Sequence, residues 1–360
     1  METHEQTAGL TRRAFLARAG SAAGTAAGLA VAPFAVSAFA SKARASGMGV
    51  AQDDAGRVVA SPFEWMQVRP GVFASSNLAT GGNCLVFRGG DRCLLVDTKF
   101  PAFSPLIGRD TEALTGLAPT HVVNTHHHGD HSGGNQAFTG NAIVMAHEKG
   151  VERVRGQFEN YVAGITGGAR TVERAPEAFR ATLMKDLEAL LAQADALEAS
   201  DWIANTPIAS PVSGLDFDGE WIELRHFGRP SHTDNDLVIR LAGRNLIHTG
   251  DVVFNGLHPF FDVNGGASSA DWIETLADIH ALCDADTVVV PGHGPAGDRG
   301  IVRTQQRYIE QLRESVRNAI DAGTPLDDLR DQAFPFMEGM GFDRLRENAI
   351  VFVYNELTSG

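Results

Sequence analysis

Between residues 64 and 146 short apolar runs alternate with Gly and Pro, the signature of strands joined by tight turns. Segments 64–69 and 72–76 flank Pro70-Gly71, and segments 83–88 and 92–97 flank Gly89-Gly90-Asp91, so each pair is a predicted hairpin. A helical stretch over 104–116 leads to the apolar strand His121-Val122-Val123-Asn124. A short helical segment at Asn135–Phe138 and a strand at Ala142–Ala146 follow. From 148 to 205 the period changes. Leu183, Leu187, Leu190, Leu191, Ala194 and Leu197 recur at helical spacing within 176–199, and the segment reads as an inserted helical cap. Strands return at 220–227, 236–241 and 245–249, then a helix at 270–283 and a strand at 286–290. Residues 297–322, 325–332 and 342–357 are mostly helical. This order predicts an α/β fold of two packed sheets with helices outside.

The N-terminus follows a different logic. Thr11-Arg12-Arg13-Ala14-Phe15-Leu16 precedes a mild Ala/Gly-rich apolar run from Ser21 to Ala40 that ends in Ala38-Phe39-Ala40, the order of a basic segment, an apolar segment and a small-residue cleavage site. Paired arginines before Phe-Leu make it resemble a bacterial twin-arginine signal, expected to span residues 1–40 with cleavage after Ala40, or alternatively after Ala45. The apolar run is short and too rich in Gly, Ala and Ser for a permanent span, so no stable membrane anchor is expected after cleavage. Residues 41–60 read as a linker, and residues 61–360 as the folded domain. The implied partner is the twin-arginine export machinery, and the implied location is periplasmic or secreted.

A formal charge of -14 without a Lys/Arg-rich stripe past the N-terminal region argues against nucleic acid as a partner. Hydrophobic content of 43% fits a globular domain rather than a disordered or multi-span chain. Cys84, Cys93 and Cys283 are too few for a disulfide framework, and none lies at metal-ligand spacing. With a turn at Gly89-Gly90, Cys93 would face Val86, leaving Cys84 a diagonal neighbour; packed thiols are expected.

The chemistry concentrates in Thr125-His126-His127-His128-Gly129-Asp130-His131. In an extended segment side chains two apart point the same way, so His126 and His128 can reach one ion while His127 points elsewhere. Gly129 lets the backbone turn, after which Asp130 and His131 can reach a second position; imidazoles with a carboxylate suit zinc-like divalent ions. Three further positions end apolar strands in Gly, Pro or Thr: His232 in 228–236, Asp251 in Ile247-His248-Thr249-Gly250-Asp251, and His293 in Val290-Pro291-Gly292-His293-Gly294-Pro295.

Together with Val96-Asp97-Thr98, this ordered set resembles the metallo-beta-lactamase superfamily across roughly residues 65–295. The resemblance implies a four-layer alpha/beta-beta/alpha sandwich with a dinuclear site on one edge. It implies that His126, His128 and His232 bind a first metal, that Asp130, His131 and His293 bind a second, that Asp251 bridges them, and that Asp97 stands beneath the ligands. True beta-lactamases of the superfamily carry Cys or Ser where this chain has Asp251, so the site is closer to the glyoxalase II type. Superfamily flavoproteins with two irons place Glu at the position of His128, which argues against that role. His121, His127, His147, His226 and His248 are expected to pack or hydrogen-bond rather than bind metal. His258 and Asn255, in the loop Phe254–Phe261 after Asp251, are candidate substrate-lining residues.

The implied function is an exported hydrolase with two Zn2+ per chain, iron and manganese being the other candidates. A bridging hydroxide would attack the carbonyl of a small ester, thioester, lactone or lactam, with Asp130 orienting the nucleophile and accepting its proton. The alternatives are an oxidoreductase like the mononuclear-iron persulfide dioxygenases and a non-catalytic periplasmic metal- or sulfur-binding protein. Metal content separates them.

Overall fold

The computed structural model describes residues 60–359. The expected signal, at 1–40, and all but the last residue of the expected linker lie outside the described residues. A seven-stranded sheet takes its strands in chain order: β1 (Met66–Arg69), β2 (Val72–Ala74), β3 (Leu85–Gly89), β4 (Arg92–Val96), β5 (His121–Val123), β6 (Ile143–His147) and β7 (Thr206–Ile208). β1 to β4 pair antiparallel, and β4 to β7 pair parallel. The second sheet has five strands: β8 (Val212–Phe217), β9 (Glu220–Arg225), β10 (Val238–Leu241), β11 (Leu246–His248) and β12 (Val288–Val290), in spatial order β12-β11-β10-β9-β8. Only β11 and β12 run parallel there.

Side-chain alternation explains why the sheets stack. Leu85, Phe87, Leu94 and Val96 meet Ile222, Leu224, Ile239, Leu246 and Val290 between the sheets. Their neighbours Val86, Cys93 and Leu95 point the other way, into an outer layer. That layer consists of α1 (Ser104–Thr115), α4 (Phe158–Thr166), α5 (Gly168–Val172) and α6 (Glu177–Leu191), packed through Ile107, Leu114, Ile165, Leu183 and Leu187. On the far face α7 (Ser269–Ala281), α8 (Arg299–Asp321) and α10 (Arg344–Thr358) cover Val238, Ile247 and Val289. Strands buried on both faces read as nearly continuous apolar runs, as Cys84–Phe87 and Val288–Val290 do. The expected four-layer sandwich is therefore the observed one, with a helical C-terminal region. Two short helices complete the inserted segment and the site, α3 (Glu148–Gly156) and α2 (Gly129–Ser132), and α9 (Leu326–Asp331) precedes the last helix.

Several local expectations need correction. The β3–β4 turn falls at Gly90-Asp91, because Gly89 stays in the strand opposite Arg92; Cys93 thus faces Arg88 rather than Val86. All three cysteines are free and buried. The predicted helix over 176–199 ends at Leu191. Beyond it the Asp201 carboxylate accepts the Glu198 N–H in a turn at Ala199–Asp201, a local side-chain bond that competes with continued helix. Strands β7 and β8 were not anticipated. β7 carries Pro207, tolerated because it is the sheet's edge strand, and β8 carries Gly214, whose missing side chain makes room for the Trp221 indole.

Candidate metal centre

The C-terminal ends of β4, β5, β9, β11 and β12 lie on one edge of the sandwich, and each carries or precedes a predicted site residue. Both sheets contribute. Asp97 follows β4 and is fully buried with a left-handed backbone, φ 63°. Its carboxylate accepts the Thr125 backbone N–H at 2.7 Å, the Thr125 hydroxyl at 2.8 Å and His131 Nδ1 at 2.7 Å. The last bond puts the proton of His131 on Nδ1 and turns Nε2 inward, 3.1 Å from Asp251 Oδ1.

The same logic fixes the first group. His232 Nδ1 donates to the Phe260 carbonyl at 2.7 Å, and His128 Nε2 donates to Asp262 Oδ2 at 2.8 Å. His126 Nδ1 donates to the Thr125 hydroxyl at 3.1 Å, whose own proton goes to Asp97; the remaining nitrogens therefore carry lone pairs, and His128 Nδ1 lies 3.0 Å from both His126 Nε2 and His232 Nε2. Burial holds the His126 and His232 imidazoles down, His232 to about 4, so both are neutral at pH 7. Three lone pairs converging without a proton between them call for a cation.

In the second group Asp130 Oδ2 is 3.4 Å from His293 Nε2 and 3.8 Å from His131 Nε2. Asp251 stands between the groups. Its Oδ2 is 3.8 Å from His126, 3.5 Å from His232 and 3.4 Å from His293, while Oδ1 faces His131. Burial pulls against charge on His131, but the Asp251, Asp130 and Asp97 carboxylates outweigh it and raise the imidazole well above its ordinary value. His293, opposed by burial and favoured by Asp251, rises to about 9. Asp251 is held well below the usual carboxylate range: burial opposes this, but His293 and His131 prevail. Buried anionic oxygens facing imidazoles, with His131 Nε2 and Asp251 Oδ1 lacking any hydrogen-bond partner, fit divalent metal. All seven predicted ligands are brought together in these two groups.

Backbone packing closes the centre from behind. A Cβ on Gly82 would lie 2.2 Å from the His131 ring, and one on Gly292 would lie 2.0 Å from Asp251 Oδ1, so both loops press bare backbone onto ligands. The Asn83 side chain donates to the Pro291 and Gly294 carbonyls at 2.9 and 2.7 Å, tying the first loop to the one that carries His293. Lys99, fully buried, donates to the Gly82 carbonyl at 2.5 Å. Trp202 and Trp272 donate to the carbonyls of Gly133 and Val252, just beyond His131 and Asp251.

The remaining histidines sort by their partners. His127 accepts from Asn235 at 3.0 Å and lies 3.6 Å from Asp262, behind the first group. His121 packs on Phe217, His147 stacks on His226 at 4.1 Å, and His248 accepts the Gly250 N–H. The proposed substrate residue His258 is 1% exposed and bonded to the Tyr308 hydroxyl at 2.8 Å, with Asp343 and Arg346 as its charged neighbours. The structure thus turns it toward the C-terminal helices rather than the ligands. Asn255 donates to the Pro295 carbonyl at 2.8 Å and braces the His293 loop. Asp262 was missed: no spacing rule links it to a histidine 134 residues earlier.

Residues 78–293 match the model of the metallo-beta-lactamase superfamily. An uncharacterized protein of Mycobacterium tuberculosis is 31% identical over 111 residues, 28% of this chain and 49% of that protein. A hydroxyacylglutathione hydrolase of Nitrosococcus oceani is 39% identical over 70 residues, 18% of this chain and 27% of the hydrolase. The matches therefore span half or less of these relatives. Among solved structures, the sec-alkylsulfatase Pisa1 of a Pseudomonas species superposes with a TM-score of 0.56 at 17% identity, covering 81% of this chain and 50% of the sulfatase. A metallo-beta-lactamase from Pontibacter korlensis gives a TM-score of 0.50 at 16% identity, covering 69% and 98%. Both likenesses are of fold. By its sandwich and by the family match over residues 78–293, the chain belongs to the metallo-beta-lactamase superfamily.

Proposed function

We propose that this protein is an exported, zinc-dependent hydrolase of esters, thioesters, lactones or lactams, with a glyoxalase II-type site. The observation that carries the reading is Asp251, a carboxylate within 3.1–3.8 Å of imidazoles from both groups, where a Cys or Ser would offer one sulfur or oxygen instead of two oxygens. His126, His128 and His232 would hold one divalent ion and Asp130, His131 and His293 a second. When bound, such ions supply Lewis acidity and an acidified water at neutral pH. Asp130 has a side chain 21% exposed and a carboxylate held below its ordinary range, with burial outweighed by His131 and His293; it is the group placed to orient a water and accept its proton. Asp97, through Thr125 and His131, keeps the ligand imidazole in the right tautomer.

Metal analysis of the purified protein, coupled to an ester, thioester, lactone and chromogenic cephalosporin panel, tests the reading. Two zinc ions per chain and turnover of at least one carbonyl substrate are expected. One iron per chain with oxygen uptake on a persulfide would replace the hydrolase by an oxidoreductase. Export rests on Arg12-Arg13 and the apolar run that follows. Replacing both arginines with lysine is expected to leave the protein in the cytoplasm of fractionated cells; unchanged export would remove the twin-arginine assignment.

A further inference from the structure

The metal centre is exposed mainly at three of its residues. The side chains of His126, His131 and His232 are 0% exposed, whereas His128 is 19%, Asp130 21% and His293 7% exposed. A substrate must therefore approach over His128, Asp130 and His293. Each of these three has a half-buried aromatic ring at or close to it. Phe260 lies 5.7 Å, ring to ring, from His128. Phe342 stands edge-on to His293 at 5.5 Å. Phe100 packs on Gly81, whose added Cβ would also touch Asp130. Val263, beside the Asp262 that holds His128, is 67% exposed.

Phe342 is held there at a cost. Its φ is 61°, in the left-handed region that bulky side chains avoid, and strain of this kind persists only where surrounding contacts enforce it. The enforcing contacts are visible: Gly341 donates to the Gly256 carbonyl at 3.0 Å and accepts from His258 N–H at 2.9 Å, a short parallel bridge to the loop that follows Asp251. The residue lies outside the family-matched span 78–293. Two nearby cations are otherwise engaged, and a third, the exposed Arg344, is not. Lys99 points inward to Gly82, and Arg153 makes two bonds to Asp234 and one to the Asn264 carbonyl. Arg344 lies over the Phe342 ring at 5.9 Å.

We infer that Phe260 and Phe342 are the two apolar walls of the substrate site, and that the substrate carries uncharged, apolar groups next to its scissile carbonyl. This deepens the hydrolase reading and rests on it for the word substrate. Binding of small carbonyl probes to the full-length protein, chelated and metal-loaded, tests it by calorimetry. Octanamide is expected to bind at least about tenfold more tightly than acetamide, since each buried methylene contributes roughly a factor of four. It is also expected to bind more tightly than the monoamide of suberic acid, whose chain ends in a carboxylate. F260A and F342A should each reduce the preference to within about threefold and melt lower through lost packing, and F342L should restore the preference, all compared at a temperature where each variant is folded. Equal binding of acetamide and octanamide, tighter binding of the carboxylate-ended probe, or full preference in both alanine variants would overturn the inference. Matched esters separate the two readings. Octanamide binding without ester turnover removes the hydrolase and leaves the apolar site, whereas turnover indifferent to chain length does the reverse.

Discussion

Asp262 touches no other ligand group as closely as it touches His128, yet it decides which His128 nitrogen faces the centre. With the proton held on Nε2 at 2.8 Å from its carboxylate, Nδ1 is left as a lone pair beside His126 and His232. It is a positioning residue. Replacing it with alanine should weaken metal at the His126, His128 and His232 group about 10–100-fold in a chelator competition, the usual range for lost partners of ligating histidines. The Asn variant keeps an acceptor and should recover part of that loss. Equal weakening of both metals, or none, would assign Asp262 to loop structure instead. The candidate ligands were legible because a metal site calls for specific residue types at strand ends. Asp262 and Phe342 were not, since their roles arise from contacts across 134 and 49 residues, to His128 and His293, that leave no local spacing.

At the level of elements, the loop between β2 and β3 shows how backbone shapes the centre. Gly82 has no side chain because the His131 ring occupies its place. G82A should displace His131, costing about 1–3 kcal/mol of overpacking and lowering the second metal's occupancy well before the first's. Metal titration of the variant checks this; two ions retained at unchanged affinity would show that the loop yields instead. Most elements were predictable from apolar period, and the departures share a cause. Gly89 looked like turn but pairs as strand, and Leu197 kept helical spacing beyond a helix that had ended. In each case a tertiary partner or a local hydrogen bond overrode the pattern.

For the molecule as a whole, the candidate centre draws on both sheets along one edge, with Asp97 and His126–His131 from the first and His232, Asp251 and His293 from the second, so a bound metal would fasten them. Ligand that binds only the folded state at a thousand times its dissociation constant adds about 4 kcal/mol. Chelation should therefore lower the melting temperature by about 6 °C in calorimetry, given an unfolding entropy of roughly 2.1 cal/mol/K per residue over a domain of this length. A shift under about 2 °C would mean that the sheets hold that edge unaided.

The latch from Asn83 to the carbonyls of Pro291 and Gly294 joins nearly the first and last residues of the centre, and this bears on when in the life of the chain a metal can be held. A nascent polypeptide that has reached residue 200 carries the dense histidine run but neither His232 nor Asp251, and the second group stays incomplete until residue 293 has left the ribosome. Filling both groups thus waits until most of the chain has been made.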